Sequence, residues 1–163
     1  MVTKTELTNI LKEWLSKFLS RKYPDSDIEV LIPSRALSSL ENQKLKRVQN
    51  ISFFNFRPDV LGILTKENSN NIKLVFLNRE VSTWGLKDIG VMQLYCRIAK
   101  PLHAFMASTQ GLAPQIDRII NHHKRHELIS YNGEKIKIFR YDLSLNDVDK
   151  LSITPLEERD FFE

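Results

Sequence analysis

Apolar residues recur along the first 22 residues at the spacing of an α-helix. Their positions lie three or four apart at Leu7, Ile10, Leu11, Trp14, Leu15, Phe18 and Leu19. Thr3 and Glu6 have the spacing of a capping box, which marks a helix start. A helix is expected to end before Pro24, because the residue preceding a proline avoids the helical region. The pattern therefore predicts an amphipathic helix over residues 3–22.

Short apolar runs rich in β-branched and aromatic residues follow, and such runs are typical of strands. We expect strands at residues 27–32, 51–56, 60–64, 72–82, 103–108 and 134–142. The run at 72–82 is apolar at consecutive positions in its middle, which indicates a central strand with both faces covered. Residues 34–50 are polar and fit either a short helix or a long loop.

Two further helices are predicted at residues 86–100, ending before Pro101, and at residues 112–128. The resulting order is helix, several strands, helix, strand, helix, strand. This order predicts an α/β domain in which a mixed central sheet is flanked by helices.

Composition restricts the class of protein. The 163 residues are 42% hydrophobic and 27% charged, as in an ordinary soluble globular domain. No stretch approaches the roughly 20 apolar residues of a membrane span, and the charged N-terminus is unlike a signal peptide. The single cysteine, Cys96, excludes an internal disulfide and a cysteine-rich zinc site, and it fits a reducing, cytoplasmic setting.

The formal net charge of +4 is unevenly distributed along the chain. Residues 143–163 contain six acidic and two basic residues, a net charge of −4, which leaves +8 on residues 1–142. We therefore expect a basic α/β domain over residues 1–142 and an acidic C-terminal tail over residues 143–163. A basic body suggests a polyanionic partner, and the tail is expected to compete for the same surface.

Two acidic residues interrupt the apolar pattern of neighbouring strands. Asp59 directly precedes the run at 60–64, and Glu80 lies near the end of the next predicted strand. A polar turn of seven residues joins these strands, so they are expected to pair as a hairpin that brings both carboxylates to one edge of the sheet. Two carboxylates repel unless a cation lies between them, and Mg²⁺ or Mn²⁺ is the hard cation that oxygen ligands favour. In a basic protein such a metal suits phosphodiester hydrolysis.

Four segments together resemble the PD-(D/E)xK nuclease superfamily, whose members share the restriction-endonuclease-like fold. They are RPDVLGIL (57–64), KLVFLNREVS (73–82), LKDIGVMQLYCRIAKP (86–101) and HAFMAS (103–108). The resemblance extends over about residues 50–142. It implies an α-β-β-β-α-β core and metal-dependent cleavage of DNA.

The resemblance also assigns roles to single residues. It implies that Asp59 and Glu80 are metal ligands and that Val81 contributes its backbone carbonyl. The lysine of the family's second half-motif falls on Ser82, which has no charge, and we expect Ser82 to orient the attacking water instead.

The helix that follows offers a candidate for the missing positive charge. Lys87, Val91 and Tyr95 lie on one helical face at i, i+4 and i+8. Tyr95 matches a tyrosine that the family often has there, whereas the family's glutamine position is Val91. Lys87 begins this face and is either the catalytic cation or a solvated lysine at a helix start.

Further basic residues are candidates for contacts with nucleic acid. These candidates are Lys44, Lys46, Arg47 and Arg57, together with Tyr95. A charge run such as that at 44–47 is also typical of a solvated loop. His122 and His126 have a spacing that can hold zinc, but no third ligand is found, and the polar end of a helix explains them better.

The sequence leads to a main hypothesis and two alternatives. The first is a Mg²⁺-dependent DNA endonuclease, expected to be a homodimer because cutting both strands needs two sites. The second is a nuclease-fold protein that has lost catalysis and serves as a DNA-binding or partner-binding subunit. The third is an α/β interaction domain in which Pro58 and Asp59 only form a turn.

Overall fold

Eight strands and three α-helices are present in the computed structural model, which describes residues 1–163. The strands are β1 (Ser26–Leu31), β2 (Val60–Lys66), β3 (Ile72–Glu80), β4 (His103–Ser108), β5 (Ser130–Tyr131), β6 (Glu134–Lys135), β7 (Lys137–Asp142) and β8 (Asp147–Val148). The helices are α1 (Lys4–Lys22), α2 (Leu86–Ala99) and the single turn α3 (Pro114–Asp117).

Six of the strands form one mixed sheet in the order β1-β2-β3-β4-β7-β8, while β5 and β6 pair separately. β1, β2 and β3 are antiparallel neighbours, β3, β4 and β7 are parallel, and β8 is antiparallel to β7. Glu80 lies beside Ser108, and Ser108 lies beside Arg140. One edge of the sheet therefore holds the carboxyl ends of β3, β4 and β7 together with the start of β2. We call it the carboxyl edge.

Each face of the sheet has its own hydrophobic core. α1 covers one face, where Val75 and Leu77 of β3 are buried with Leu11 and Leu15. α2 belongs to the core on the other face, where alternate residues of β3 such as Phe76 are buried. The predicted mixed α/β architecture with helices around a central sheet is confirmed.

The ends of the two long helices follow from local sequence signals. α1 begins at a capping box, in which Thr3 Oγ1 accepts from the Glu6 N–H and the Glu6 carboxylate accepts from the Thr3 N–H. α2 ends at Ala99, where Lys100 adopts the left-handed conformation (φ 50°) and Pro101 follows. Both helices were predicted to within about one residue.

The prediction of a strand at residues 51–56 is wrong. Ile51–Phe53 is a 3₁₀ turn, and the residues after it form an irregular segment. Phe54 and Phe56 are buried in the α2-side core, and their carbonyls accept from the N–H groups of Ser38 and Leu37. The aromatic run is therefore buried by packing of a loop, and the polar stretch at 34–50 is also a loop, with two 3₁₀ turns.

The helix expected at residues 112–128 is correct only near its start. The α-helical turn α3 passes into a π-helical turn at Arg118–His122, and a separate 3₁₀ turn follows at His126–Leu128. The strand expected at 134–142 is divided between β6 and β7.

The C-terminal segment (residues 143–163) packs against the rest of the chain. β8 pairs with β7, and the side chains of Val148, Ile153 and Phe162 are buried in the α1-side core. Several of its acidic groups pair with basic residues of the body, as Asp149 does with Arg140 at 2.8 Å. The acidic residues 143–163 are thus continuous with the sheet and the α1-side core. No helix in the structure has both the length and the apolar character needed to cross a membrane.

Candidate active site at the carboxyl edge

Asp59 and Glu80 lie at the carboxyl edge, where the strand β2 begins and its partner β3 ends. Asp59 directly precedes β2, and Glu80 is the last residue of β3. The Asp59 backbone N–H donates to Asn78 Oδ1 at 3.1 Å, and Asp59 Oδ2 accepts from the Arg79 N–H at 2.9 Å. These bonds fix the Asp59 carboxylate beside the last residues of β3.

The side chain of Arg79 joins Asp59 to the beginning of α1. Its Nη1 lies 3.6 Å from Asp59 Oδ2, and its Nε donates to Thr8 Oγ1 at 2.8 Å and to the Lys4 carbonyl at 3.2 Å. Since about three quarters of the Asp59 and Arg79 side chains is shielded from solvent, this ion pair is less screened than a surface pair. Arg79 thereby holds the first turn of α1 against the edge.

The Glu80 carboxylate contacts a second basic group. Its Oε1 accepts from the Val81 N–H at 2.8 Å, and its Oε2 lies 3.3 Å from Lys4 Nζ. Burial raises the pKa of Glu80, but the Val81 N–H and the Lys4 ammonium outweigh burial, so the pKa is lower than usual. Glu80 is therefore a carboxylate at neutral pH.

A cleft of about 160 Å³ opens beside Asp59 and the first turns of α1. Its lining is mostly polar and consists of Thr5, Thr8, Asn9, Ile32, Pro33, Arg57, Pro58, Asp59 and Arg79. Arg57 is exposed and makes no ion pair, so its guanidinium is free to meet an anion that enters this cleft.

The oxygen donors at the edge fit a hard divalent cation. No group of three or more His, Cys, Asp or Glu side chains comes together in the structure. The available donors are the carboxylates of Asp59 and Glu80 and the Val81 carbonyl, which also accepts from Thr109 Oγ1 at 2.8 Å. Mg²⁺ is commonly bound through one or two carboxylates plus water and substrate phosphate, so these donors are of the type that the ion uses. Arg79 and Lys4 would compete with the metal for the two carboxylates.

Of the other predicted catalytic residues, Ser82 contacts the Glu80 carboxylate through its backbone N–H, which helps to lower the pKa of Glu80, and Lys87 contacts neither carboxylate. Ser82 is exposed just beyond the end of β3, and Lys87 is exposed in the first turn of α2 without an ion pair. Val91 is also exposed, but the Tyr95 ring stacks on Phe56 at 4.3 Å between ring centroids. Tyr95 is thus a packing residue of the α2-side core.

Three of the predicted nucleic-acid contacts lie near the opposite edge of the sheet. Lys44 Nζ is 2.6 Å from Asp27 Oδ2, and this hydrogen bond raises the pKa of Lys44. Arg47 donates to Asn70, which precedes β3, and Lys46 is 3.4 Å from Glu41. The structure therefore does not bring these three basic residues together with Asp59 and Glu80.

Sequence reasoning missed Lys4 and Arg79. Alternation along β3 places Arg79 on the α1-facing side, which is the one signal that could have indicated its contact with α1. Lys4 has no such signal, because it is an ordinary lysine at a helix start. Its carbonyl and Arg79 are 75 positions apart in the sequence, so their contact forms only when the chain folds.

Comparisons with known proteins add no family to this geometry. No protein-family model matches the chain, and no curated protein matches it either. Function is therefore inferred from the side chains at the carboxyl edge and from the segments that resemble the PD-(D/E)xK nucleases.

Proposed function

We propose that the protein is a metal-dependent endonuclease that hydrolyses DNA phosphodiester bonds on a restriction-endonuclease-like core. The observation that carries the proposal is the placement of Asp59 and Glu80 on paired strands at the carboxyl edge, next to the first turn of α1. The order α1, β1, β2, β3, α2, β4 supports it, because the resemblance implies an α-β-β-β-α-β core.

The residues of the edge have distinct roles in this reaction. Asp59, Glu80 and the Val81 carbonyl would hold Mg²⁺ or Mn²⁺, which when bound activates water and polarises the phosphate. Ser82 orients the attacking water, and Arg57 binds phosphate at the mouth of the cleft. The water oxygen bonds to phosphorus while one P–O ester bond breaks. The leaving oxygen takes that electron pair and a proton, and the water releases a proton to solvent.

A second candidate function is a catalytically inactive DNA-binding or partner-binding subunit. The observation that favours it is that each carboxylate already has a cationic neighbour, Arg79 at 3.6 Å and Lys4 at 3.3 Å. In such a protein these ion pairs neutralise the edge without a metal. The uncharged Ser82 and the lack of contact between Lys87 and the carboxylates fit the same alternative.

A cleavage assay on plasmid and branched DNA with Mg²⁺ or Mn²⁺ separates the two functions. We expect the wild type to cleave and Asp59→Asn to be slower by a factor of at least about 10². Glu67→Gln is the matched control, because Glu67 is exposed in the turn between β2 and β3, and it should cleave normally. A wild type that binds DNA without cleaving it supports the second function. Undiminished Mn²⁺ binding by Asp59→Asn in calorimetry would contradict the metal site.

DNA as a partner and the homodimer are tested in the same preparations. DNA affinity should fall steeply as salt rises, with a logarithmic slope of about −0.9 for each phosphate neutralised. Sedimentation velocity should show a dimer if both strands of a duplex are cut by one assembly. Affinity that is flat between low and moderate salt would remove DNA from both proposed functions.

A further inference from the structure

We propose that Lys4 is a catalytic residue of the carboxyl edge, whose ammonium stabilises the negative charge that develops on the phosphate during hydrolysis. The inference rests on the proposed nuclease function. It assigns to Lys4 on α1 the role of catalytic cation, for which the sequence suggested Lys87 on α2. In this role Lys4 neither gives nor takes a proton, so the balance of atoms and electrons in the hydrolysis is unchanged.

The position of the Lys4 ammonium is the first argument. Lys4 Nζ lies 3.3 Å from Glu80 Oε2, and it is the one ammonium group that contacts either carboxylate of the site. The Lys4 side chain is 54% exposed, whereas the Glu80 side chain is 24% exposed. The ammonium therefore contacts the carboxylate and belongs to a side chain that is about half open to solvent, so a phosphate can reach it.

The anchoring of the Lys4 backbone is the second argument. The Lys4 carbonyl accepts from Arg79 Nε at 3.2 Å and from Thr8 Oγ1 at 2.8 Å. Arg79 also contacts Asp59, so one side chain ties the first residue of α1 to the carboxylate of β2. These contacts fix the backbone from which the Lys4 side chain extends, and the Glu80 carboxylate is the contact that holds its ammonium. A charge positioned beforehand is the condition for electrostatic stabilisation of a transition state.

The remaining basic residues near the site are less suited to this role. Arg79 is occupied as a donor to Thr8 and Lys4 and as the partner of Asp59. Arg57 is exposed at the mouth of the cleft and contacts neither carboxylate. Lys87 on α2 is also exposed and contacts neither carboxylate. Lys4 alone is both in contact with a carboxylate of the site and open to a ligand.

The test compares Lys4→Met with a matched variant, Lys12→Met on the exposed side of α1. Rates of plasmid cleavage, DNA affinity, and Mn²⁺ affinity by calorimetry are measured for each. We expect Lys4→Met to lose a factor of about 10² to 10³ in cleavage rate with nearly unchanged DNA affinity. Its Mn²⁺ affinity should rise, because a cation that competes for Glu80 is gone. Lys12→Met should match the wild type.

The outcomes distinguish this inference from the proposed function. A wild type that cleaves together with a Lys4→Met variant that cleaves equally well overturns the role of Lys4 and leaves the nuclease function standing. A Lys4→Met variant that loses Mn²⁺ binding along with cleavage also overturns it, since Lys4 would then only position Glu80. A wild type that cleaves no DNA with either metal overturns both proposals.

Discussion

Arg79 illustrates how a single charged residue is accommodated at the end of a buried strand. It follows four buried apolar residues of β3 and Asn78, and it lies on the face that α1 covers. Removing a guanidinium from water is costly unless it is paired and hydrogen-bonded. Arg79 finds those partners in Asp59, Thr8 and the Lys4 carbonyl. Its charge therefore does not weaken the core, and its contacts hold α1 against the site.

Gly62 allows α1 to approach the sheet closely. A Cβ at this position would lie 2.9 Å from Leu19 Cδ1 and 3.2 Å from Val75 Cβ. Gly62→Ala should therefore lower the free energy of unfolding by about 1–3 kcal/mol, as expected for overpacking, measured by urea denaturation. Gly90→Ala is the control: its Cβ meets nothing within 4 Å, and in the helix α2 it should add about 0.5–1 kcal/mol. Equal gains from both substitutions would contradict the close packing of α1.

At the scale of elements, aromatic packing joins the C-terminal segment to α1 and the sheet. The Phe162 ring lies 5.8 Å from Phe18 and 5.9 Å from Phe105, measured between centroids. Phe161 lies between the ammonium groups of Lys22 and Lys137, at 3.9 and 4.2 Å from its ring centroid. Removing residues 143–163 would therefore expose the α1-side core, and the segment is a structural element of the domain.

Phe162→Ala tests this contribution. The side chain is 6% exposed, so its loss should cost about 3–5 kcal/mol of unfolding free energy. Phe53→Ala is the same change at a ring that is 69% exposed, and it should cost less than about 0.5 kcal/mol. Thermal and urea denaturation of both variants provide the comparison. Similar small losses in the two variants would show that the segment is not part of the core.

At the scale of the whole molecule, a buried histidine couples stability to pH. His103 is 8% exposed at the start of β4, and its ring hydrogen-bonds the Tyr23 hydroxyl. Burial, together with the positive charges of Lys137 and Lys22, lowers the pKa of His103 to about 3. In the unfolded chain a histidine has a pKa of about 6.5. Between these values the unfolded state binds a proton that the folded state does not.

The free energy of unfolding should therefore decrease as pH falls from about 6.5 towards 3. The slope from this residue approaches about 1.4 kcal/mol per pH unit at most. Urea denaturation between pH 7 and about 4.5 avoids most of the carboxyl titration, and comparison with His103→Phe separates His103 from the three other histidines. His103→Phe should remove this part of the slope even if its overall stability is lower. An identical slope in His103→Phe would show that His103 is not the group responsible.

Local sequence signals predicted the elements whose burial follows a regular period. α1, α2, β2, β3 and β4 all lie close to their expected positions, because helical spacing or a short apolar run was the dominant pattern in each. The segments 51–56 and 112–128 were mispredicted. Their apolar residues are buried by a loop and by a succession of short turns, and apolar content alone does not distinguish these from a strand or a long helix.

For the candidate site, the sequence by itself determined that Asp59 and Glu80 lie at the same end of two paired strands, because the short turn between β2 and β3 favours their pairing as a hairpin. Only the tertiary structure decided which cations accompany them. The packing of α1 places Lys4 in contact with Glu80, whereas the order of the strands places Lys44 near the opposite edge. Contacts between distant parts of a chain depend on how whole elements pack, and no local period or spacing encodes that packing.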